Sequence, residues 1–456
     1  MTGAGRRDAR GAGGRRTGRL VAGAALLALV GAAGCGEPAG EEASAGGSGG
    51  GRATATAASG PATCDLPPDL AAGLDTLAAE DGADEPVRVI LVIGDGVGTG
   101  YWSAARLRRP DLAAFGLPVV GFTDSRNALG RVTDSAASGT ALATGCLTYN
   151  GAIGMGPDTT ALTSVAEIAR RRGLATGLVT TSRVTHATPA AFVAHVVDRY
   201  SEEAIAGQMA DAGLDVLLGG GRRYFRSETR ADGRDLLSGL REDARYLEDP
   251  AALRDVAGAA GKGNAAADGP AGPGGRTGVP DRLVGLFAGK DLPPAPGRDA
   301  TLASMTRAAL AVLDRDPDGF FLVVEAAQPD WRGHDAAPLE AVQAEMLGLD
   351  DAVRAARDYR ERRPGTLLVV TADHETGGLA VAEDDDGLTD RWATGGSGSV
   401  RDHTADLTPH FAAGPGARAL RGIQTPASTG RFLLRTVGGS AVEEVSERPA
   451  GARADD

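Results

Sequence analysis

Three near-continuous apolar runs, each ending at an acidic residue, constrain this chain more than anything else in it. Residues 87–93 (VRVILVI) break into Gly94-Asp95-Gly96-Val97-Gly98, residues 320–324 (FFLVV) run into Glu325, and residues 367–370 lead through Thr371-Ala372 to Asp373-His374. Further apolar runs lie at 174–179 and 215–218, and helical patterns fall between them at 164–172, 189–199, 301–313 and 339–360. A strand without polar alternation must be covered on both faces. Its regular exchange with helices predicts an α/β fold with a mostly parallel central sheet flanked by helices on both faces and small surface insertions. In open sheets of this kind ligands gather outside the carboxyl ends of the strands. Three acidic strand endings therefore point to one edge assembled as a metal or phosphate site.

Composition narrows the classes of function. The 456 residues carry a formal charge of −13, which speaks against nucleic-acid binding as a primary role, since that needs a basic footprint to displace counterions. Three cysteines cannot build a disulfide scaffold or a tetrathiolate zinc site. Lysine occurs only at Lys262 and Lys290, so arginine supplies nearly all the positive charge.

The first 34 residues read as an export signal. Six arginines, the last of them Arg19, precede an apolar run at 20–33 that is too short for a membrane span and fits the hydrophobic region of a secretory signal. Ala32-Ala33-Gly34-Cys35 is similar to a lipobox, in which Cys35 becomes a lipidated N-terminus, although Ala32 stands where leucine is usual. Ordinary cleavage nearby is the alternative. The expected location is the cell envelope as a lipoprotein, or otherwise secreted or periplasmic, with membrane contact only through that lipid. Residues 35–62 have almost no large apolar side chain and suit a flexible tether. The catalytic domain is expected at 63–440, with a low-complexity insertion at 251–280, an exposed excursion at 383–400 and a polar tail at 441–456. In an exported chain, Cys64 and Cys146 are expected to pair.

The most informative segment is 133–145, TDSAASGTALATG. An Asp-Ser pair opening a run of small residues places Ser135 at a helix N-terminus, where orphan amides and the helix dipole favour anions. No His or Lys adjoins it in sequence, so a serine nucleophile here would need activation by a metal. Ligands for one are present. Asp330 and His334 stand four apart, Asp373 adjoins His374, and His403 follows in a loop. Mixed oxygen and nitrogen donors suit zinc, whereas Thr188 and Glu325 offer the hard oxygens magnesium prefers. His195 reads as a packing residue within a helix, His410 as preceding a strand, and Tyr101 and Trp102 as core or rim aromatics.

Taken together, the stretches IGDGVG (93–98), VTDSAASGTALATG (132–145), ATPAAFVAHVVDR (187–199), FFLVVEAAQPDWRGHD (320–335), TADHETGG (371–378) and DHT (402–404) resemble the bacterial alkaline phosphatases, metal-dependent phosphomonoesterases with a serine nucleophile. The resemblance runs in family order across about residues 87–436 and implies two zinc ions and one magnesium ion per chain. Asp330, His334 and His403 match the first zinc site. Asp95, Asp373 and His374 match the second, beside Ser135, and Asp95 with Thr188 and Glu325 matches the third site. Arg199 matches the arginine that grips phosphate, oriented by Asp134. His186 and Trp331 depart from the best-known enterobacterial pattern, His186 beside the third metal and Trp331 on the substrate side. The implied reaction is hydrolysis of small phosphate monoesters through a phosphoserine, releasing phosphate. Rival readings are a phosphodiesterase or sulfatase of the same superfamily, or a lipid-tethered metal- or phosphate-binding protein without activity. Many relatives are homodimers, but no stretch of this sequence marks an interface.

Overall fold

A computed structural model describes residues 86–260, 279–385, 387–394 and 402–439. All belong to one folded unit, Ser59–Asp456. The other unit, Met1–Ala58, lies outside the described residues, as do Cys35, Cys64, the tail at 441–456 and most of the 251–280 insertion.

The strands are β1 (Val87–Gly94), β2 (Val119–Thr123), β3 (Ala175–Arg183), β4 (Val216–Gly220), β5 (Arg245–Tyr246), β6 (Leu283–Leu286), β7 (Gly319–Ala326), β8 (Thr366–Ala372), β9 (Glu375–Thr376), β10 (Leu379–Asp384), β11 (Gly387–Trp392), β12 (His403–Thr404), β13 (Thr408–Ala413) and β14 (Gly422–Gln424). The helices are α1 (Thr99–Arg108), α2 (Ser135–Thr144), α3 (Val165–Arg171), α4 (Ala187–Ala190), α5 (Glu202–Asp211), α6 (Leu236–Asp243), α7 (Leu253–Ala260), α8 (Leu302–Leu313), α9 (Gln328–His334), α10 (Leu339–Arg362) and α11 (Pro426–Gly438).

Ten strands form one sheet in the order β14-β2-β13-β8-β1-β7-β3-β4-β6-β5. Every pairing in it is parallel except those of β13, which runs antiparallel to β8 and β2. The expected α/β architecture is therefore the one observed. β1 lies between β7 and β8, so the three strands with acidic endings are neighbours. Their two-residue side-chain period divides the core between the faces. Ile90, Val92, Leu322 and Val324 pack with residues of α8 and α10. Val89, Leu91, Phe321 and Val323 pack on the opposite face with Val165 of α3 and Leu433 of α11. Each strand has apolar neighbours above and below, which is why these runs carry no polar alternation.

Four expectations are corrected or refined. The helix expected over 189–199 is a single turn, Ala187–Ala190, followed by turns. Beyond it the chain hooks back along residues 151–155, where Ile153 and Val196 form an antiparallel bridge and Arg199 N donates to Gly151 O at 2.9 Å. Those amides find partners remote in sequence, and the β-branched Val193, Val196 and Val197 suit the extended path. His195 thus lies outside any helix. The excursion at 383–400 begins as a real element, because β10 and β11 form an antiparallel hairpin. The start of the 251–280 insertion is likewise ordered as α7. His410 lies within β13 and is buried. Among the described residues no helix is long and apolar enough to cross a membrane.

Candidate active site

Asp134 caps α2, its carboxylate accepting from Ala137 N at 2.9 Å, and Ser135 is the first residue of that helix. The nucleophile candidate is 2% exposed, with its Oγ 3.2 Å from His374 Nε2. The same nitrogen lies 3.4 Å from an oxygen of Asp95 and 3.4 Å from one of Asp373. The ligand atoms of Asp95, Asp373 and His374 all fall within 4.8 Å of one another, the grouping expected for the second zinc. Gly96, at a φ of 73°, makes the approach possible: a Cβ there would meet Asp330 Cα at 2.7 Å. Its amide donates to Asp373 at 3.1 Å.

The first-zinc set also converges. His334 Nε2 lies 3.3 Å from Asp330 and 3.1 Å from His403 Nε2, which is itself 3.6 Å from Asp330. His403 Nδ1 faces the carbonyl of Thr133 at 2.9 Å, and a carbonyl only accepts. Nδ1 therefore carries a proton, which leaves Nε2 as the ring atom facing the cluster and free to bind a metal in the neutral ring. The rings of His374 and His403 stack at 3.6 Å, placing the two sets side by side.

For the third set, the ligand atoms of Asp95, Glu325 and His186 share a grouping of the same size. His186 thus belongs to the cluster itself. The Thr188 hydroxyl faces Glu325 without an aligned hydrogen bond. On the substrate side, Arg199 donates through Nη1 to Asp134 at 3.0 Å and through Nη2 to His186 Nε2 at 3.3 Å. Trp331 stands edge-on to His186 with ring centroids 6.0 Å apart.

Both oxygens of Asp95, one each of Asp373 and Glu325, the Thr188 hydroxyl and His186 Nδ1 are buried without a hydrogen-bond partner. Buried polar atoms are rarely left so, and leaving a carboxylate oxygen unpaired is costly. Without cations the charges conflict. Burial, then repulsion from Asp373, Asp330 and Glu325, drives the Asp95 carboxyl well above its usual range. Burial also raises Glu325 to about 7, and burial with the Asp330 charge raises Asp373 to about 7. Asp330 goes the other way, because the His334 hydrogen bond and the neighbouring imidazoles outweigh its burial. Burial, then the neighbouring His403, pushes the proton off His374. A neutral imidazole among unpaired carboxylate oxygens is the donor set of a metal ligand, and divalent ions would satisfy the orphaned oxygens at once.

A model of the alkaline phosphatase family matches residues 87–394. The chain belongs to the alkaline phosphatase family. It is 35% identical to alkaline phosphatase 3 of Bacillus subtilis over 66% of this chain and 63% of that protein, so it spans about three fifths of that relative's length. It is 35% identical to the streptomycin-6-phosphate phosphatase of Streptomyces griseus, over 76% of this chain and 90% of that one. Among solved structures, the alkaline phosphatase of the Antarctic bacterium TAB5 superposes with a TM-score of 0.66 at 31% identity, covering 78% of this chain and 99% of that one. A histidine-to-aspartate variant of the TAB5 protein carries magnesium in a site named M3.

In this alkaline phosphatase family member the sequence reading missed the groups that hold the ligands. Thr376 donates to Asp330 and lies 3.3 Å from His374 Nδ1, and it sits inside the TADHETGG stretch that signalled the site. Glu375 accepts from the amides of Gly378 and Leu379 and from Thr404 Oγ1, tying β9 to the strand that carries His403. Thr180 and Ser182 donate to Glu325 from β3. Only the fold places these hydroxyls opposite their acceptors. Cys146 is buried near the end of α2, and its expected partner Cys64 lies outside the described residues.

Proposed function

We propose that this protein is an exported alkaline phosphatase that hydrolyses phosphate monoesters through a phosphoserine on Ser135. The observation that carries the reading is the convergence of Ser135 Oγ, at a helix N-terminus, on the His374 imidazole and on buried carboxylate oxygens without a hydrogen-bond partner. Asp330, His334 and His403 would hold one zinc ion, and Asp95, Asp373 and His374 a second. Asp95, Thr188 and Glu325 would hold magnesium, the ion named for the TAB5 variant, with His186 beside them. When bound, these ions supply Lewis acidity, lowering the pKa of the serine hydroxyl and of the attacking water and neutralising charge on the phosphoryl group.

The chain's own groups do the rest. Arg199 presents a planar fork to two phosphate oxygens, and Asp134 and His186 fix the plane of that fork. The amides at the N-terminus of α2 face the same charge. Ser135 Oγ loses its proton to solvent and bonds to phosphorus, the bond to the leaving oxygen breaks in line, and that oxygen takes up a proton. Water then attacks phosphorus from the vacated side, the P–Oγ bond breaks, and the water's proton restores the hydroxyl.

Two displacements require retention of configuration at phosphorus, and a chiral monoester yielding inversion would overturn the mechanism. Ser135→Ala should remove phosphoserine trapping and most turnover. The name of the Streptomyces griseus relative describes a monoesterase, which supports monoesters over diesters or sulfates. Relative rates on aryl monoester, diester and sulfate decide that point. Residues 1–34 serve export, and lipid on Cys35 holds the domain to the envelope through 36–62. Palmitate labelling that survives Cys35→Ala would refute the anchor.

A further inference from the structure

The segment between α4 and α5 delivers Arg199, and its attachment converges on His195. Gln208 Oε1 accepts from His195 N at 2.8 Å, and Gln208 Nε2 donates back to His195 O at 3.2 Å. The imidazole reaches two further elements. Nδ1 lies 3.0 Å from the carbonyl of Gly154, and Nε2 lies 3.2 Å from Glu167 Oε1 on α3. Glu167 is itself held, since its other oxygen accepts from Ser164 N at 2.8 Å in the capping box of α3. Gly154 is tied to the nucleophile's helix, its amide donating to Thr140 Oγ1 at 2.9 Å. A side chain at Gly154 is excluded, because a Cβ would meet Ala194 O at 2.2 Å and His195 Nδ1 at 2.7 Å.

Both ring nitrogens of His195 therefore face acceptors. A neutral imidazole has one N–H and satisfies one of them, whereas the imidazolium satisfies both. The other charged groups around the ring are few. Arg170 and Arg171 stand on α3 with Glu167, Asp211 lies on α5, and Gln208 is neutral. Phe192, Val193 and Leu214 line the 270 Å³ cavity beside the ring.

We infer that His195, in its protonated form, is a positioning residue for Arg199. It clamps the returning segment between α3 and the 151–155 loop, so that the guanidinium meets Asp134 and the phosphate in one orientation. The inference rests on the reading of Arg199 as the phosphate-binding arginine. The clamp is distinct from the metal cluster, and its route runs from Glu167 through His195 to Gly154, Thr140 and the Ile153–Val196 bridge. Hydrogen bonding to Glu167 raises the His195 pKa from its ordinary value, outweighing partial burial. A raised pKa in the folded state means that the clamp is complete at low pH and is lost as pH rises through that value. Substrate affinity should weaken in the same window.

The test uses the metal-loaded enzyme, an aryl phosphate and inorganic phosphate as inhibitor. His195→Ala should raise KM and the phosphate inhibition constant by about two- to tenfold, the range for one lost hydrogen bond, while kcat at saturation stays within about twofold. It should also remove one step from the rise of KM with pH. Glu167→Gln is the second variant. Its amide can donate to a neutral His195 Nε2 while its oxygen still accepts from Ser164 N, so it should keep KM low and flatten the same step. A fall in kcat and melting temperature with wild-type KM in both variants would make His195 a packing residue and overturn the inference. Arg199→Ala separates the two layers. If it leaves KM and phosphate inhibition unchanged, the reading of Arg199 fails first. If it raises both while His195→Ala and Glu167→Gln match the wild type at every pH, only the clamp fails.

Discussion

Asp134 does three jobs with two oxygens, and removing it should separate folding from binding. Oδ1 caps α2 through Ala137 N, while Oδ2 accepts from Gly151 N at 2.9 Å and from Arg199 Nη1 at 3.0 Å. Asp134→Ala loses the cap, worth about 1 kcal/mol. It strands the half-buried Gly151 amide, about 1 kcal/mol more. The ion pair with Arg199 has both side chains 16% exposed and contributes about 1 kcal/mol after solvent screening. The total is about 3 kcal/mol. With about 2.1 cal/mol/K of unfolding entropy per residue, a unit of this size should lose about 4 °C in melting temperature. Asp134→Asn divides the effects. Its single oxygen keeps the cap, and its amide turns a donor toward two donors, Gly151 N and Arg199. The asparagine variant should therefore melt closer to the wild type yet show the KM and phosphate inhibition of the alanine variant, about tenfold weaker. Calorimetry and steady-state kinetics on both variants read the two axes independently. Wild-type KM in Asp134→Asn would refute the claim that this carboxylate orients Arg199.

Other outcomes follow from the same geometry. Chelated protein should lose stability as pH rises through about 7, because Glu325 and Asp373 hold protons in the fold that the unfolded chain has already released. Zinc and magnesium should abolish that slope, and a slope unaffected by metal in thermal melts would count against the cluster. Trp331→Lys adds a cation beside His186 and should tighten inhibition by inorganic phosphate; unchanged inhibition removes Trp331 from the substrate side. Thiol titration of the denatured, unreduced protein tests the proposed Cys64–Cys146 bond, and titration of both thiols would end it.

What the sequence made legible follows from what is local. Strands β1, β7 and β8 announced themselves because burial on both faces leaves no polar residue in the run, and their acidic ends follow directly in sequence. Ser135 was legible because the cap and the helix start are neighbours. The path to Arg199 was not. TPAAFVAHVVDR has the spacing of a helix, yet the amides of His195, Val196 and Arg199 are taken by Gln208, Ile153 and Gly151, all of which lie outside that stretch. The β10–β11 hairpin escaped notice because its strands are largely solvent-facing, without the apolar contrast that marks a strand. Thr376 and Glu375 were visible as letters within a motif, but their acceptors and donors come from α9 and β12.

The proposed ligand groups around Ser135 come from Asp95, Thr188, Glu325, Asp330, His334, Asp373, His374 and His403, and the last arrives on a two-residue ladder between β12 and β9. No fragment of the chain contains a complete site. A nascent or partly folded polypeptide offers cations only scattered carboxylates, and high affinity appears once segments about three hundred residues apart have docked. Metal capture then becomes the closing act of folding. If zinc fills the cluster as proposed, its release would free the β12–β9 ladder that carries His403, so scarcity of zinc would cost this protein structure and turnover together.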